Sequence, residues 1–171
     1  GGRRAQAAFH HFGGGAFERG HAMMIAESIT INAPRERVFG IASDLRNAPS
    51  RIPEITRVEV LGDGPVGKGT RWRETRIMFG KEHTELLEIA DFRAPEFYAV
   101  TAHNCGTDYY TTFDFKSEGP STTTVTFAFQ GTPTTFAARI MCALMAPMMK
   151  KTLQKCLRSD LENIKRACEA G

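Results

Sequence analysis

The C-terminal part of the chain limits the possible folds most strongly, because its apolar residues follow the period of one long helix. From Thr134 to Ala170 they recur in steps of three to five, which fits a single helical face. The stripe consists of Phe136, Ile140, Leu144, Met148, Leu153, Leu157, Leu161 and Ile164. Such a helix spans about 50 Å at 1.5 Å per residue. Pro147 is expected to bend it, so that it can follow a curved sheet.

Much of the chain before this helix alternates between apolar and polar residues, which is typical of strands with one buried face. Two such segments, Ile25–Ile31 and Ile55–Leu61, come first. The later segments are 70–79, 82–92, 97–105, 108–116 and 122–130. The links within this later group are mostly of hairpin length, so antiparallel pairing is favoured over parallel crossovers.

Between the first two strands the sequence predicts two short helices. Asn32 can cap a helix, Pro34 is tolerated in a first turn, and an apolar face continues until Asp44. The proline-rich segment Asn47–Pro53 fits one more helical turn. The sequence therefore predicts an α+β fold in which a curved six- or seven-stranded antiparallel sheet grips a long, Pro-kinked C-terminal helix, with two short helices after strand 1.

Length and composition favour one domain. A chain of 171 residues with 42% hydrophobic and 24% charged residues can bury a substantial core but has little room for a second one. We expect residues 24–171 to form this domain. Residues 1–23 are Gly-rich with scattered Arg and His, and we interpret them as a flexible leader or expression-derived segment.

Charge and cysteine patterns argue against several classes of protein. The formal net charge of +3 is small and both signs are mixed along the chain, which disfavours nucleic-acid binding. The cysteines are widely spaced and lack metal-ligand patterns, so no metal site and no cofactor are expected; they are Cys105, Cys142, Cys156 and Cys168. The apolar run Ile140–Met149 is too short to cross a bilayer, so no integral membrane association is expected. These features favour a cytoplasmic protein, either a monomer or a homodimer.

Several phrases of the sequence resemble the polyketide cyclase/dehydrase-type branch of the START-like (SRPBCC) superfamily, whose helix-grip fold is shared with the birch-pollen allergen. They are residues 29–39 (ITINAPRERVF), 52–60 (IPEITRVEV), 67–72 (GKGTRW) and 161–165 (LENIK). The resemblance implies an internal cavity for a small hydrophobic molecule such as a lipid, quinone or polyketide. Members of the superfamily have many functions, so it implies no catalytic residue.

The candidates to line this cavity are the inward members of the strands and the apolar side of the long helix. They are Trp72, Phe113, Phe115, Val125, Phe127, Phe129, Ile140, Leu144 and Met148. Flexible methionines around Pro147 suit a wall that adapts to several ligand shapes. A stripe of Phe or Met at strand or helix spacing also fits an ordinary packed core.

Polar residues on the central strands leave two interpretations open. Trp72, Glu74 and Arg76 share one strand face; an outward, solvated face is favoured, because unpaired buried charge is costly. If the face points inward, Glu74 and Arg76 would pair in the cavity. A separate set of polar residues on the neighbouring strands is compatible with acid/base catalysis. It comprises His83, Glu85, His103, Asp108, Tyr109 and Tyr110.

The sequence is therefore compatible with three functions. Binding or transport of a hydrophobic small molecule needs only the fold and a cavity. A cyclase/dehydrase-like enzyme needs inward polar residues in addition. A protein-interaction module needs a surface patch, for which the basic residues Arg35, Arg37, Arg46 and Arg51 are candidates.

Overall fold

The computed structural model describes residues 23–78 and 80–170, without the side chains of residues 146 and 147. The predicted leader, residues 1–23, lies outside them except for Met23. In this part of the chain the helices are α1 (Arg35–Ser43), α2 (Ala48–Arg51) and α3 (Phe136–Glu169), with a 3-10 turn at Leu45–Asn47. The strands are β1 (Met23–Ile31), β2 (Ile55–Leu61), β3 (Arg71–Met78), β4 (Lys81–Arg93), β5 (Phe97–Asn104), β6 (Thr107–Gly119) and β7 (Thr122–Pro133).

The strands form one antiparallel sheet in the order β1-β7-β6-β5-β4-β3-β2. Consecutive strands from β2 to β7 are neighbours, as their hairpin-length links predict. The remaining strand, β1, pairs with β7 and thereby forms the opposite edge. The predicted α+β helix-grip fold is confirmed, with seven strands and two short helices after β1.

The long helix begins two residues later than predicted. Strand β7 continues to Pro133, which pairs with Thr107 of β6. The helix then starts at Phe136, where the side chain of Thr135 accepts a hydrogen bond from the amide of Ala138 at 3.2 Å. This cap supplies a partner for one of the unpaired amides at the helix start. Bending at Pro147 stays a prediction.

The main core lies between the sheet and the C-terminal half of α3. Leu153, Leu157, Leu161 and Ile164 of this half are buried against inward side chains of the sheet. Polar contacts fix the helix along β1: Gln154 donates to Glu27 at 2.6 Å, and Lys165 donates to the carbonyl of Thr30 at 2.8 Å. This end of the molecule therefore contains the packed core.

Within the part of the chain that the structure describes, no helix is both long and apolar enough to cross a membrane.

Candidate ligand site

The inward face of the sheet changes from buried to half-buried along the strands. Phe115 of β6 is 2% exposed, whereas Phe113 and Tyr109 on the same face are half-buried. Strands β4 and β5 show the same change toward the hairpin that joins β5 and β6. On β7, Phe129 is half-buried, whereas Gly131 and Pro133 beyond it are buried again, as is Thr107 of β6. Six half-buried positions at this end, here termed the inner wall, are Leu87, Ala102, Tyr109, Thr111, Phe113 and Phe129. Glu85 of β4 is half-buried on the same face beside them. Strand alternation places their side chains on the same face of the sheet as the core residues, the face on which α3 packs.

The inner wall is continuous across four strands. Leu87 pairs with Ala102, which pairs with Tyr109. The rings of Tyr109 and Phe129 stack with centroids 5.5 Å apart, and those of Phe113 and Phe127 stack at 4.2 Å. Stacked aromatic side chains form a broad, stiff apolar surface. Such a surface suits contact with a flat or elongated apolar molecule.

The N-terminal half of α3 covers the inner wall. Its inward side carries Ala138, which is buried, and Cys142, Met145 and Met149, which are half-buried. Burial raises the pKa of the Tyr109 phenol, and Cys142 adds to its electrostatic environment, so this part of the helix lies close to Tyr109. The half-buried side chains on these facing sides are thus mainly apolar groups and two thioethers, together with a thiol, the Thr111 hydroxyl, the Glu85 carboxylate and a protonated phenol.

A polar network lies beside the inner wall, on β3. The indole Nε1 of Trp72 donates to Oε2 of Glu74 at 3.3 Å, and Nε of Arg76 donates to Oε1 of Glu74 at 3.3 Å. The Nη1 atom of Arg76 donates to Oδ2 of Asp160 on α3 at 2.9 Å. The favoured outward orientation of the Trp72 face is therefore wrong. Burial of this charge is tolerated because α3 brings a second carboxylate to Arg76.

A third carboxylate completes this cluster. Ser159 donates to Oε1 of Glu54 at 3.3 Å, while Oε2 of Glu54 is buried and has no hydrogen-bond partner among the described residues. Burial, followed by repulsion from Glu74 and Glu54, raises the pKa of Asp160 to about 6, although Arg76 acts in the opposite direction. Three carboxylates around one guanidinium therefore make Asp160 a proton acceptor near neutral pH.

We expect the titration of Asp160 to make stability depend on pH. Its pKa is higher in the folded protein than the ordinary value of 3.8. The folded state thus binds this proton more tightly, and the resulting stabilisation is present below pH 3.8 and is lost as the pH rises through about 6. Relative to the Asp160→Asn variant, the wild type is expected to lose about 2–3 kcal/mol of unfolding free energy between about pH 4 and about pH 7.

Urea unfolding of both proteins at several pH values measures this difference. The variant Asp63→Asn, at an exposed turn, is the control and is expected to follow the wild type. Two results would contradict the assignment. One is a difference in unfolding free energy between the two proteins that does not change with pH. The other is a wild type that becomes more stable relative to Asp160→Asn as the pH rises.

An open groove of about 450 Å³ lies mainly on the outer face of the sheet. It is lined by the outward residues Arg71, Leu86, Glu88, Thr101, His103, Asp108, Tyr110 and Thr132, and also by Leu87, Ala102 and Tyr109, whose side chains point to the inner face. His103 and Asp108 are 2.5 Å apart there, with side chains 62% exposed. His83 instead occupies an inward register position opposite Arg76. The structure therefore does not bring the two histidines of the candidate acid/base set together, because His83 and His103 lie on opposite faces of the sheet.

The predicted lining residues divide into three groups. Trp72, Phe115, Val125 and Phe127 point inward but are buried in the core, while Phe113 and Phe129 belong to the inner wall. The inward orientation predicted for three helix residues is wrong: Ile140, Leu144 and Met148 are 48%, 75% and 58% exposed. The helix turns these three side chains away from the sheet.

Sequence reasoning missed part of the inner wall and the key charge of the network. Strand alternation indicates the inward orientation of Leu87, Ala102 and Tyr109. Each lies an even number of residues from a buried residue on its own strand, so both side chains point to the same face. For Asp160 the signal is its place in the buried helical stripe, three residues after Leu157 and four before Ile164. A lone carboxylate in such a stripe predicts a buried partner.

Solved structures with this fold come from several organisms. The protein TTHA0849 from Thermus thermophilus has a TM-score of 0.72 and 23% identity, over 86% of this chain and 98% of that one. A START superfamily protein from Mycobacterium smegmatis has a TM-score of 0.70 and 17% identity, over 88% and 99%. The Zhui aromatase/cyclase from a Streptomyces species has a TM-score of 0.71 and 15% identity, over 87% and 98%. At these identities the similarity establishes the fold alone.

No curated protein matches the chain significantly. The family model described as "polyketide cyclase / dehydrase and lipid transport" matches residues 23–169, which includes both the inner wall and the polar network. The chain therefore belongs to the polyketide cyclase/dehydrase and lipid-transport family.

Proposed function

We propose that the protein binds a small, largely apolar molecule, such as a lipid, quinone or polyketide, between the inner wall and the N-terminal half of α3. The observation that carries the proposal is the half-burial of six inward side chains beside a fully closed core. A packed domain normally buries such a surface, because each Å² of apolar area removed from water contributes about 25 cal/mol. A ligand in this space would bury it instead.

The chemistry of the lining defines the ligand class. Leu87, Phe113 and Phe129 offer apolar contacts, Thr111 and Tyr109 offer hydroxyls, of which the phenol stays protonated at neutral pH, and Glu85 adds a carboxylate beside Tyr109. Pockets with a mainly apolar lining and few polar groups select ligands by shape and desolvation. The ligand is thus expected to be apolar over most of its surface, with a few carbonyl or hydroxyl groups at the Tyr109 end.

A cyclase/dehydrase-like enzyme is the second candidate, favoured by one observation. Asp160 has a pKa near 6 and lies in the interior beside the inner wall's strands, as a general acid or base would. Binding remains the preferred function, because Asp160 is held by Arg76 at 2.9 Å and is not free to move toward a substrate. An enzyme would lose turnover in Asp160→Asn while still binding its ligand.

The protein-interaction hypothesis has less support, since most of the proposed basic patch has internal partners. Arg51 bonds Asp44 at 2.8 Å and the carbonyl of Ile41 at 2.9 Å. Arg35 bonds Glu96, and Arg46 bonds the carbonyl of Gly62. These side chains stabilise the loops around α1.

Two adjacent leucines on β4 provide a matched test of the binding site. Leu87 belongs to the inner wall, whereas Leu86 is 43% exposed in the outer groove. We expect Leu87→Asn to weaken uptake of an apolar fluorescent probe such as 1-anilinonaphthalene-8-sulfonate by about tenfold, since it removes apolar contact area. Leu86→Asn is expected to leave uptake unchanged.

Fluorescence titration with circular dichroism of both variants measures the effect on folded protein. The opposite result, loss of uptake in Leu86→Asn alone, would place the ligand in the outer groove. Equal uptake in both variants and wild type would refute binding at the inner wall.

A further inference from the structure

One side of α3 exposes an apolar surface that the proposed ligand site does not explain. Among the described residues, nine large hydrophobic side chains are exposed, and five of them lie in the N-terminal half of this helix. They are Phe136, Ile140, Met141, Leu144 and Met148, with exposures from 48% to 78%. This concentration marks an interaction surface, because exposed hydrophobic residues are ordinarily scattered.

These side chains form a stripe on the face opposite the core. Phe136, Ile140, Leu144 and Met148 follow one another at intervals of four, so they lie on successive turns over about 18 Å. The inward side at the same level carries Ala138 and the half-buried Met145. The stripe, with Met141, is here termed the outer stripe.

The outer stripe continues directly into positive charge. Helical spacing puts Lys151 and Lys155 on the same face, one and two turns after Met148, and both are exposed. The helix carries no Asp or Glu before Asp160, whereas it carries five cations over that length: Arg139, Lys150, Lys151, Lys155 and Arg158. Of these, only Arg158 takes part in an ion pair formed by the described residues.

We propose that this face of α3 docks on the surface of a bilayer that contains anionic lipids. Apolar side chains on one part of a helix and lysines on the next match the two components of such a surface, the acyl boundary and the negative headgroups. Binding then grows with the apolar area inserted and with the number of lysines near the headgroups.

A second copy of the chain fits this face less well. A two-fold dimer presents the same patch on both subunits, so the cations of one helix would need carboxylates on the other. The helix offers none before Asp160, which is buried and bound to Arg76. A membrane supplies the missing negative charge.

Vesicle co-sedimentation of the full chain tests this proposal. The vesicles contain phosphatidylcholine alone, or three parts phosphatidylcholine to one part phosphatidylserine. We expect binding to the anionic vesicles that weakens with added salt, and little binding to the neutral ones. The double variants Phe136→Ser/Leu144→Ser and Lys151→Glu/Lys155→Glu are each expected to bind the anionic vesicles about tenfold more weakly.

The matched controls are exposed residues of the same types elsewhere. Ile77→Ser/Leu86→Ser removes two exposed apolar side chains from the outer face of the sheet, and Lys68→Glu/Lys81→Glu reverses two exposed lysines. Both controls are expected to bind like the wild type. All the altered side chains are exposed, so folding is expected to persist, and circular dichroism checks it.

Three outcomes would overturn the proposal. The first is equal vesicle binding by the wild type and by both double variants of α3. The second is no vesicle binding by the wild type. The third is a doubled mass in light scattering that Phe136→Ser/Leu144→Ser abolishes while vesicles remain unbound, which would make the outer stripe a dimer interface. None of these outcomes bears on ligand uptake, which is measured without vesicles.

Discussion

Replacing Arg76 with methionine is expected to lower the free energy of unfolding by about 3–5 kcal/mol at neutral pH. The guanidinium is the shared partner of Glu74 and Asp160, and the Asp160 side chain is 7% exposed. Without it, two carboxylates face each other inside the protein, with Glu54 close enough to add to the repulsion. Breaking a buried ion pair from one side leaves an uncompensated charge, which is what makes the change costly.

The neighbouring Arg73 is the matched control. It lies on the same strand, points to the outer face, is 53% exposed and contacts Glu59 at 3.7 Å. Exposed pairs contribute little, so Arg73→Met is expected to cost less than about 1 kcal/mol. Urea unfolding of both variants gives the comparison.

A second variant distinguishes loss of charge balance from loss of packing. Arg76→Met/Asp160→Leu removes both members of the Arg76–Asp160 pair and leaves Glu74 with Trp72 as its donor. We expect it to recover part of the stability that Arg76→Met loses, since apolar replacement of a buried pair is often nearly neutral. Lowering the pH is expected to rescue Arg76→Met as well, because the carboxylates become protonated. Equal, small effects of Arg76→Met and Arg73→Met would show that the network does not contribute to stability.

Enlarging Ala102 to phenylalanine is expected to abolish ligand uptake while the protein stays folded. Ala102 lies at the centre of the inner wall, between Leu87 and Tyr109, and its methyl group is half-buried. If the space beyond it accepts a ligand, a phenylalanine ring fits into that space. Probe affinity is then expected to fall roughly a hundredfold, equivalent to about 2.8 kcal/mol of lost contacts.

Thermal unfolding of the same variant separates a ligand space from an ordinary core. Overpacking a filled core costs about 1–3 kcal/mol, whereas filling an open space leaves stability unchanged or raises it. The control is Thr101→Phe, one residue away on the outer face, which is expected to retain uptake. A strongly destabilised Ala102→Phe variant would mean that the inner wall is packed core.

The fold could be predicted from the sequence because its elements carry strong local signals. Strand alternation, hairpin-length links and the long apolar stripe predicted the sheet and α3 before any packing was known. The start of α3 was less predictable, because Pro133 fits both the end of a strand and the first turn of a helix.

The candidate site was predicted less well, and the phase of the helix explains part of the error. A step of four residues advances about 400° around a helix, so each step moves about 40° from the previous side chain. From Phe136 to Met148 the stripe therefore drifts by about 120°, and it cannot stay aligned with Leu157 and Leu161. Counting steps alone hides this drift, which is why Ile140 and Leu144 were expected to point inward.

The predicted outward orientation of the Trp72 face was wrong for a different reason. Buried charge is costly unless it is paired, and β3 alone offers Arg76 a single carboxylate, Glu74. The second carboxylate, Asp160, is 84 residues away in the sequence and reaches Arg76 only through the docking of α3. Strand periodicity contains no information about that long-range contact.

The central claim is that this protein holds a small apolar molecule between the inner wall and α3. Native mass spectrometry of gently purified protein, followed by solvent extraction and identification of the extract, tests it most directly. The account predicts an apolar molecule in stoichiometric amount, or uptake of an added apolar probe in a one-to-one complex. A ligand-free mass in a protein that also takes up no apolar probe would contradict it.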